Sequence, residues 1–313
     1  MTNLSEFTFL SSDGKTQLHG MLWEPEGVAV RAVLQICHGV AEHIARYDGF
    51  ARALNEQGIV VAGHDHLGHG KSLQEGGTPV YFGDGNTWNT VVDDIYVLHQ
   101  RLKQRYPDVP LCIMGHSMGS FLTRTYLIRY PGTVKAAVIM GTGWQPRAAI
   151  TGGLALANAI AAVSGENATS DLVTELAFGS YNKLFAPNRT KVDWLSADES
   201  NVDDYIADPL CGADATVGLF RQMLHGIRFN QRQSHLRQMD REMPVLFVAG
   251  DKDPVGSCGK GVRQTYDAFR AAGMRDCTLK LYPGLRHEIL NEKAYTADIT
   301  KNIEAWLLSR LEK

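Results

Sequence analysis

The chain has few of the residues that would mark it as extracellular, membrane-spanning or nucleic-acid-binding. Its 313 residues include only five cysteines, an odd number, at Cys37, Cys112, Cys211, Cys258 and Cys277, with no C-x-x-C pair. Such a set makes no disulfide framework. Cys37 and Cys112 lie in apolar strand-like runs, which suits buried free thiols in a reducing compartment. No uninterrupted apolar run reaches the ~20 residues of a membrane span. The opening residues Met1-Thr2-Asn3-Leu4-Ser5-Glu6 have neither a cationic start nor an apolar stretch, so no signal peptide is read there. Net charge is −3, with acidic and basic residues interspersed, and no basic stripe suits a phosphate backbone. These absences predict a cytoplasmic protein that binds no nucleic acid.

What is present is enough apolar residue, 44%, for a full core in one large α/β domain or one domain with an insertion. The organising stretch is Leu111-Cys112-Ile113-Met114-Gly115-His116-Ser117-Met118-Gly119-Ser120, followed by a helical pattern over 121–130. G-x-S-x-G carries meaning only between a strand and a helix, and that is its context here. A turn this sharp strains the serine backbone and leaves no room for side chains at Gly115 or Gly119. The hydroxyl is then held clear, with the first helical amides aimed at what it attacks.

Around this stretch, apolar strands alternate with amphipathic helices. Phe7 and Phe9 open a hairpin through Asp13-Gly14; strands follow at 32–37, 59–62, 111–114 and 136–140. Helices are predicted at 45–57, from Trp88 past Leu102, and at 121–130. The alternation calls for a mostly parallel central sheet flanked by helices. From Gly141 to Arg241 no convincing buried strand appears, and the strand pattern resumes at 244–250 and 278–282. The predicted division is a core over 1–140 and 242–313, with a helical cap, 141–241, inserted after the sixth strand.

A serine hydroxyl needs a base, and the base needs an orienting carboxylate, on loops after later strands in the order Ser, acid, His. His287 is the one histidine after the last strand, which makes it the base. Asp251 and Asp253 share the loop after the preceding strand, and strand-end geometry does not separate them. The oxyanion requires amide donors. Met118, next after the nucleophile, supplies one, and Val40, in the loop after the third strand, supplies the other. His38 is read as structural, hydrogen-bonded beneath that loop. His64, Asp65, His66 and His69 imitate a metal cluster, but they sit on a glycine-rich turn with no acidic or cysteine partner at zinc spacing, so loop packing is the expected role.

These pieces together resemble the α/β-hydrolase superfamily, and within it the monoacylglycerol lipase and lysophospholipase branch, also called serine-aminopeptidase-like hydrolases. The resemblance rests on His38-Gly39-Val40-Ala41-Glu42-His43 with Arg46-Tyr47, then Asp65-His66-Leu67-Gly68-His69-Gly70-Lys71-Ser72. It continues through Gly115-His116-Ser117-Met118-Gly119, Gly250-Asp251-Lys252-Asp253-Pro254-Val255 and Arg286-His287-Glu288. The branch usually carries H-G-x-G-E-H in the oxyanion loop, and Ala41 replaces its second glycine, which is expected to shift the loop slightly. The resemblance implies the α/β-hydrolase fold and the catalytic residues Ser117, Asp253 and His287, its acid being the last residue of G-x-x-D. It also implies hydrolysis of a carboxylic ester through an acyl-enzyme on Ser117, with no metal or organic cofactor.

Residues 148–163 are alanine- and leucine-rich with almost no charge. They are read either as a buried cap helix or as the wall of an acyl tunnel that touches lipid surfaces transiently. The expected partner is a small-molecule acyl ester, monoacylglycerol or lysophospholipid. The alternatives are a small-ester carboxylesterase, an aminopeptidase using cap carboxylates such as Glu166, Asp171, Glu175 and Asp203, or a non-catalytic binding protein on the same fold.

Overall fold

The computed structural model describes residues 1–311. Eight strands form one sheet in the order β1-β2-β4-β3-β5-β6-β7-β8. The hairpin β1 (Thr2–Leu10) and β2 (Gln17–Pro25) is antiparallel and joins β4 (Ile59–His64) antiparallel. From β4 onward, β3 (Ala32–Cys37), β5 (Leu111–His116), β6 (Ala137–Met140), β7 (Val245–Gly250) and β8 (Cys277–Tyr282) pair in parallel.

The central strands are apolar on both sides because both faces are covered. Along β7, Val245, Phe247 and Ala249 enter one core while Leu246 and Val248 enter the other. The same period of two divides Leu111 and Ile113 from Cys112 and Met114 on β5. The first core packs against α2 (Thr87–Arg105) through Val91 and Ile95, and against α3 (Met118–Arg129) through Leu122 and Tyr126. The second packs against α1 (Asp48–Asn55) through Phe50 and Leu54, and against Ile299, Ile303 and Leu307 of the helix Thr296–Leu311. Each such aliphatic side chain contributes roughly 1.5–3 kcal/mol when fully buried.

Between β6 and β7 the regular elements are helices, joined by irregular loops and one isolated bridge, Thr169 to Thr216. Its longest helix, α4 (Arg147–Ser164), buries only Ile150, Leu154 and Ala157, and Val163 is 87% exposed. The reading of this segment as a buried helix therefore fails over most of its surface. Leu156, Ile160 and Ala161 add half-buried contacts with the core. By length and composition α4 would be long and apolar enough to cross a bilayer. Of the cysteines, Cys37 and Cys112 are buried, Cys258 is exposed, and all five are free.

Candidate active site

β3 and β5 are neighbours in the sheet, while β4 lies on the far side of β3, so the chain reverses direction between them. Crevices at the carboxyl ends of strands beside such a reversal are where open α/β sheets bind ligands. Ser117 follows β5 there, with φ 54° and ψ −122°. For a residue with a Cβ, this backbone costs on the order of 1–3 kcal/mol. The neighbours enforce it. A Cβ on Gly115 would collide with the Gly119 carbonyl, and one on Gly119 with the Cys37 carbonyl. Ser117 N–H donates to Met140 O at 3.0 Å, which pins the turn to β6.

The loops after β7 and β8 bring two further side chains together. His287 Nδ1 lies 3.0 Å from Asp253 Oδ1, both essentially buried. Val255 N–H donates to the same carboxylate oxygen at 2.9 Å, fixing the carboxyl plane. Asp251 points elsewhere and accepts from Gly284 N–H at 2.8 Å. Geometry thus separates two residues that the sequence left as neighbours on one loop. Ser117, His287 and Val40 line one cavity of about 720 Å³, together with Phe178, Asn182, Trp194 and Leu195 from the helical segment. Trp194 packs its ring 5.1 Å from that of His287. Phe178 also lines an adjoining apolar cavity of about 420 Å³, with Ile150, Leu156, Phe220, Leu224 and Ile227. No sequence pattern pointed to Trp194 or Phe178, because neither belongs to a motif.

The loop after β3 is held from several sides. Glu42 accepts from Gly39 N–H and Tyr47 O–H and pairs with Arg46 at 3.0 Å. Burial would push the Glu42 carboxyl up, but the hydrogen bond from His116 and the charges of His116 and Arg46 hold it well below the usual range. Ala41 takes φ 52°, the left-handed region that glycine occupies without strain. Its carbonyl accepts from Tyr205 O–H and Gly212 N–H, both at 3.0 Å. His43 Nε2 bonds Asp208 Oδ2 at 2.8 Å, a further tie to the helical segment.

His38 lies beneath this loop, its Nδ1 on Gly39 O at 2.8 Å and its Nε2 accepting from His66 N–H at 3.0 Å. Asp65 accepts from Ile44 N–H and Lys71 N–H and bonds His19, which packs the glycine-rich turn. The rings of His64, His66 and His69 are buried among one another and Phe9 and Phe82. Their nitrogens do not converge on a point. Among the described residues, the set of three donor atoms within 4.8 Å of each other is His43, Asp208 and Cys211, and the hydrogen bond just described already engages two of them.

A strained serine on a strand–helix elbow, lining one cavity with the histidine of a buried histidine–aspartate pair, marks a serine hydrolase of the α/β-hydrolase fold. The pattern of the family described as serine aminopeptidase, S33, matches residues 28–294, and the chain belongs to that family. A monoacylglycerol lipase of Mycolicibacterium smegmatis is 31% identical over 98% of each chain. The human monoglyceride lipase is 27% identical over 96% of this chain and 89% of its own. Among solved structures, a thermostable carboxyl esterase from Bacillus coagulans, in complex with glycerol, superposes with a TM-score of 0.92 at 26% identity, over 99% of this chain and 100% of that one.

Proposed function

We propose that Ser117, His287 and Asp253 hydrolyse monoacylglycerols, with the Val40 and Met118 amides holding the oxyanion. The chain is a carboxylic ester hydrolase, as its similarity to named monoacylglycerol and monoglyceride lipases indicates. The observation that carries the substrate class is the apolar 420 Å³ cavity opening beside the site, which accepts an acyl chain. The polar mouth of the larger cavity, with Asn182, Asn188 and Lys191, suits the glycerol.

In this mechanism His287 Nε2 takes the Ser117 proton as Oγ attacks the acyl carbonyl, and the Asp253 carboxylate holds the Nδ1–H tautomer. The oxyanion collapses, His287 protonates the departing glycerol oxygen, and the acyl-enzyme forms on Ser117. Water then gives its proton to His287, attacks the ester carbon and releases the fatty acid, returning the proton to Ser117. Residues 141–241 act as the cap, and α4 presents its small apolar face to lipid surfaces during substrate transfer.

An aminopeptidase would require free cap carboxylates for a substrate ammonium. Glu166 instead pairs with Arg221, Glu175 with Lys183 at 2.7 Å, and Asp203 with Arg189 at 2.7 Å. Asp171 lines the large cavity, and turnover of an aminoacyl anilide decides its role. Initial rates on p-nitrophenyl esters from acetate to palmitate, on 1-monoacylglycerol and on an aminoacyl anilide, with Ser117→Ala as blank, test the reading. Monoacylglycerol turnover with a medium- or long-chain preference supports it. Activity confined to acetate and butyrate, or to the anilide, overturns it.

A further inference from the structure

His116, the residue before Ser117, is buried and has an acceptor at each ring nitrogen. Glu42 Oε1 lies 3.2 Å from Nδ1, and the His287 carbonyl oxygen lies 3.3 Å from Nε2. The carbonyl has only lone pairs to offer. Glu42 is committed to accepting, since it already takes Gly39 N–H, Tyr47 O–H and Arg46 Nη1. Two acceptors on one ring are satisfied together only by the doubly protonated imidazolium. Burial opposes that charge, but the hydrogen bond to Glu42 and its charge outweigh the burial and raise the His116 pKa.

On the other side, Arg46 forks onto Glu288 at 2.7 and 2.8 Å, and Glu288 directly follows His287 in the chain. Asn201 adds a hydrogen bond to Glu288 at 2.9 Å. The contacts close into a ring: Glu42, His116, the backbone of His287 and Glu288, Arg46, and Glu42 again. None of its four charged side chains is more than 10% exposed.

We infer that His116 is a positioning residue, the strut that sets the distance between the oxyanion loop and the loop carrying the base. The inference rests on the assignment of Ser117 and His287 above. Between Gly39 and His43 the oxyanion loop has no helix or strand, and neither does the chain from Pro283 to Glu288, so side-chain contacts fix how they face each other. Transition-state stabilisation depends on that fit to within about an ångström. The His116 ring also packs against that of His287, with centroids 4.7 Å apart and the planes tilted by 38°. Gly141 backs both rings, and a Cβ there would meet each at 3.1 Å. The charged groups facing His116 are Glu42 and Arg46 from the oxyanion side, Glu288 from the base loop and Asp253 from the loop after β7. His116 thereby places a fixed positive charge against the base.

The test compares His116→Leu, His116→Gln and Glu288→Gln with the wild type. It reads kcat, KM, the pH profile of kcat/KM, fluorophosphonate labelling and thermal unfolding. In His116→Leu, kcat falls on the order of 100-fold while KM changes less than about threefold. The acid limb of the profile moves to higher pH, since the fixed cation is gone. His116→Gln recovers part of kcat, because an amide N–H reaches the Glu42 carboxylate, but its acid limb stays displaced. Glu288→Gln keeps the shape of the ring without its charge. It loses kcat by about tenfold at unchanged KM, and it decides the matter if the leucine variant does not fold. Folded variants with wild-type kcat and pH profile overturn the inference, as does a loss carried by KM alone. A wild-type protein that neither labels nor hydrolyses ester overturns the serine-hydrolase reading instead.

Discussion

His287 Nδ1 stands 3.0 Å from Asp253 Oδ1, while Asp251, two residues earlier on the same loop, bonds the Gly284 amide. On the proposed mechanism, Asp253→Asn presents an amide N–H where His287 needs an acceptor, so the wrong tautomer prevails and kcat falls about 10⁴-fold. Asp251→Asn stays within about threefold of wild type, since it touches only a turn. Steady-state kinetics on a chromogenic ester measure both, and the reverse order would assign the acid to Asp251.

The elbow and α4 make opposite demands on glycine. Gly119→Ala drives a Cβ into the Cys37 carbonyl, which the sheet cannot move, and destabilises the protein by about 3 kcal/mol or more. Gly152, exposed within α4, has open space around its Cβ direction. Gly152→Ala therefore stabilises by about 0.5–1 kcal/mol through helix propensity alone. Denaturant midpoints of the two variants test the contrast.

Stability should fall in acid. His64 and His69 are buried, and burial pushes their pKa values down to about 3, against ~6.5 in the unfolded chain. Between those limits the unfolded chain binds protons that the native state excludes. The stability is thus fully present above about pH 6.5 and is lost as pH drops. At pH 5 each ring costs roughly 2 kcal/mol. Asp94, raised to about 6 by burial, opposes this over ~pH 4–6 because there the native state binds the extra proton. His66 and His38 are also shifted down by burial and side with His64 and His69. The nitrogens of His64 have no hydrogen-bond partner. His64→Leu therefore removes about 2 kcal/mol of the difference between unfolding free energies at pH 7.5 and pH 5. An unchanged difference would show that His64 does not contribute.

The apolar cavity sets chain length in the proposed function. Leu224 lines it, and Leu224→Trp fills much of its volume. Turnover of p-nitrophenyl palmitate then drops at least about tenfold relative to butyrate, the scale of lost apolar contacts in a pocket. An unchanged ratio would place the acyl chain elsewhere.

Much of this molecule is decided locally. Apolar runs with a period of two, the turn at Asp13-Gly14 and the frame around Gly115 and Gly119 depend on neighbours in the chain, and the strands and elbow were legible to within a residue or two. His64, His66 and His69 were legible as packing residues, but their partners Phe9 and Phe82 come from elsewhere in the chain, and His64 ends β4 rather than lying on the turn. Three relationships were decided only in three dimensions. Which aspartate meets His287 depends on how the loop after β7 turns. How much of α4 is exposed depends on what packs beneath it. That His116 joins Glu42 to His287, partners 74 and 171 residues away in sequence, follows from the parallel strands β3, β5 and β8 ending on the same side of the sheet. Periodicity reports which face of an element is buried. It carries no record of the neighbour on that face, and that neighbour is what converts buried polar groups into a site.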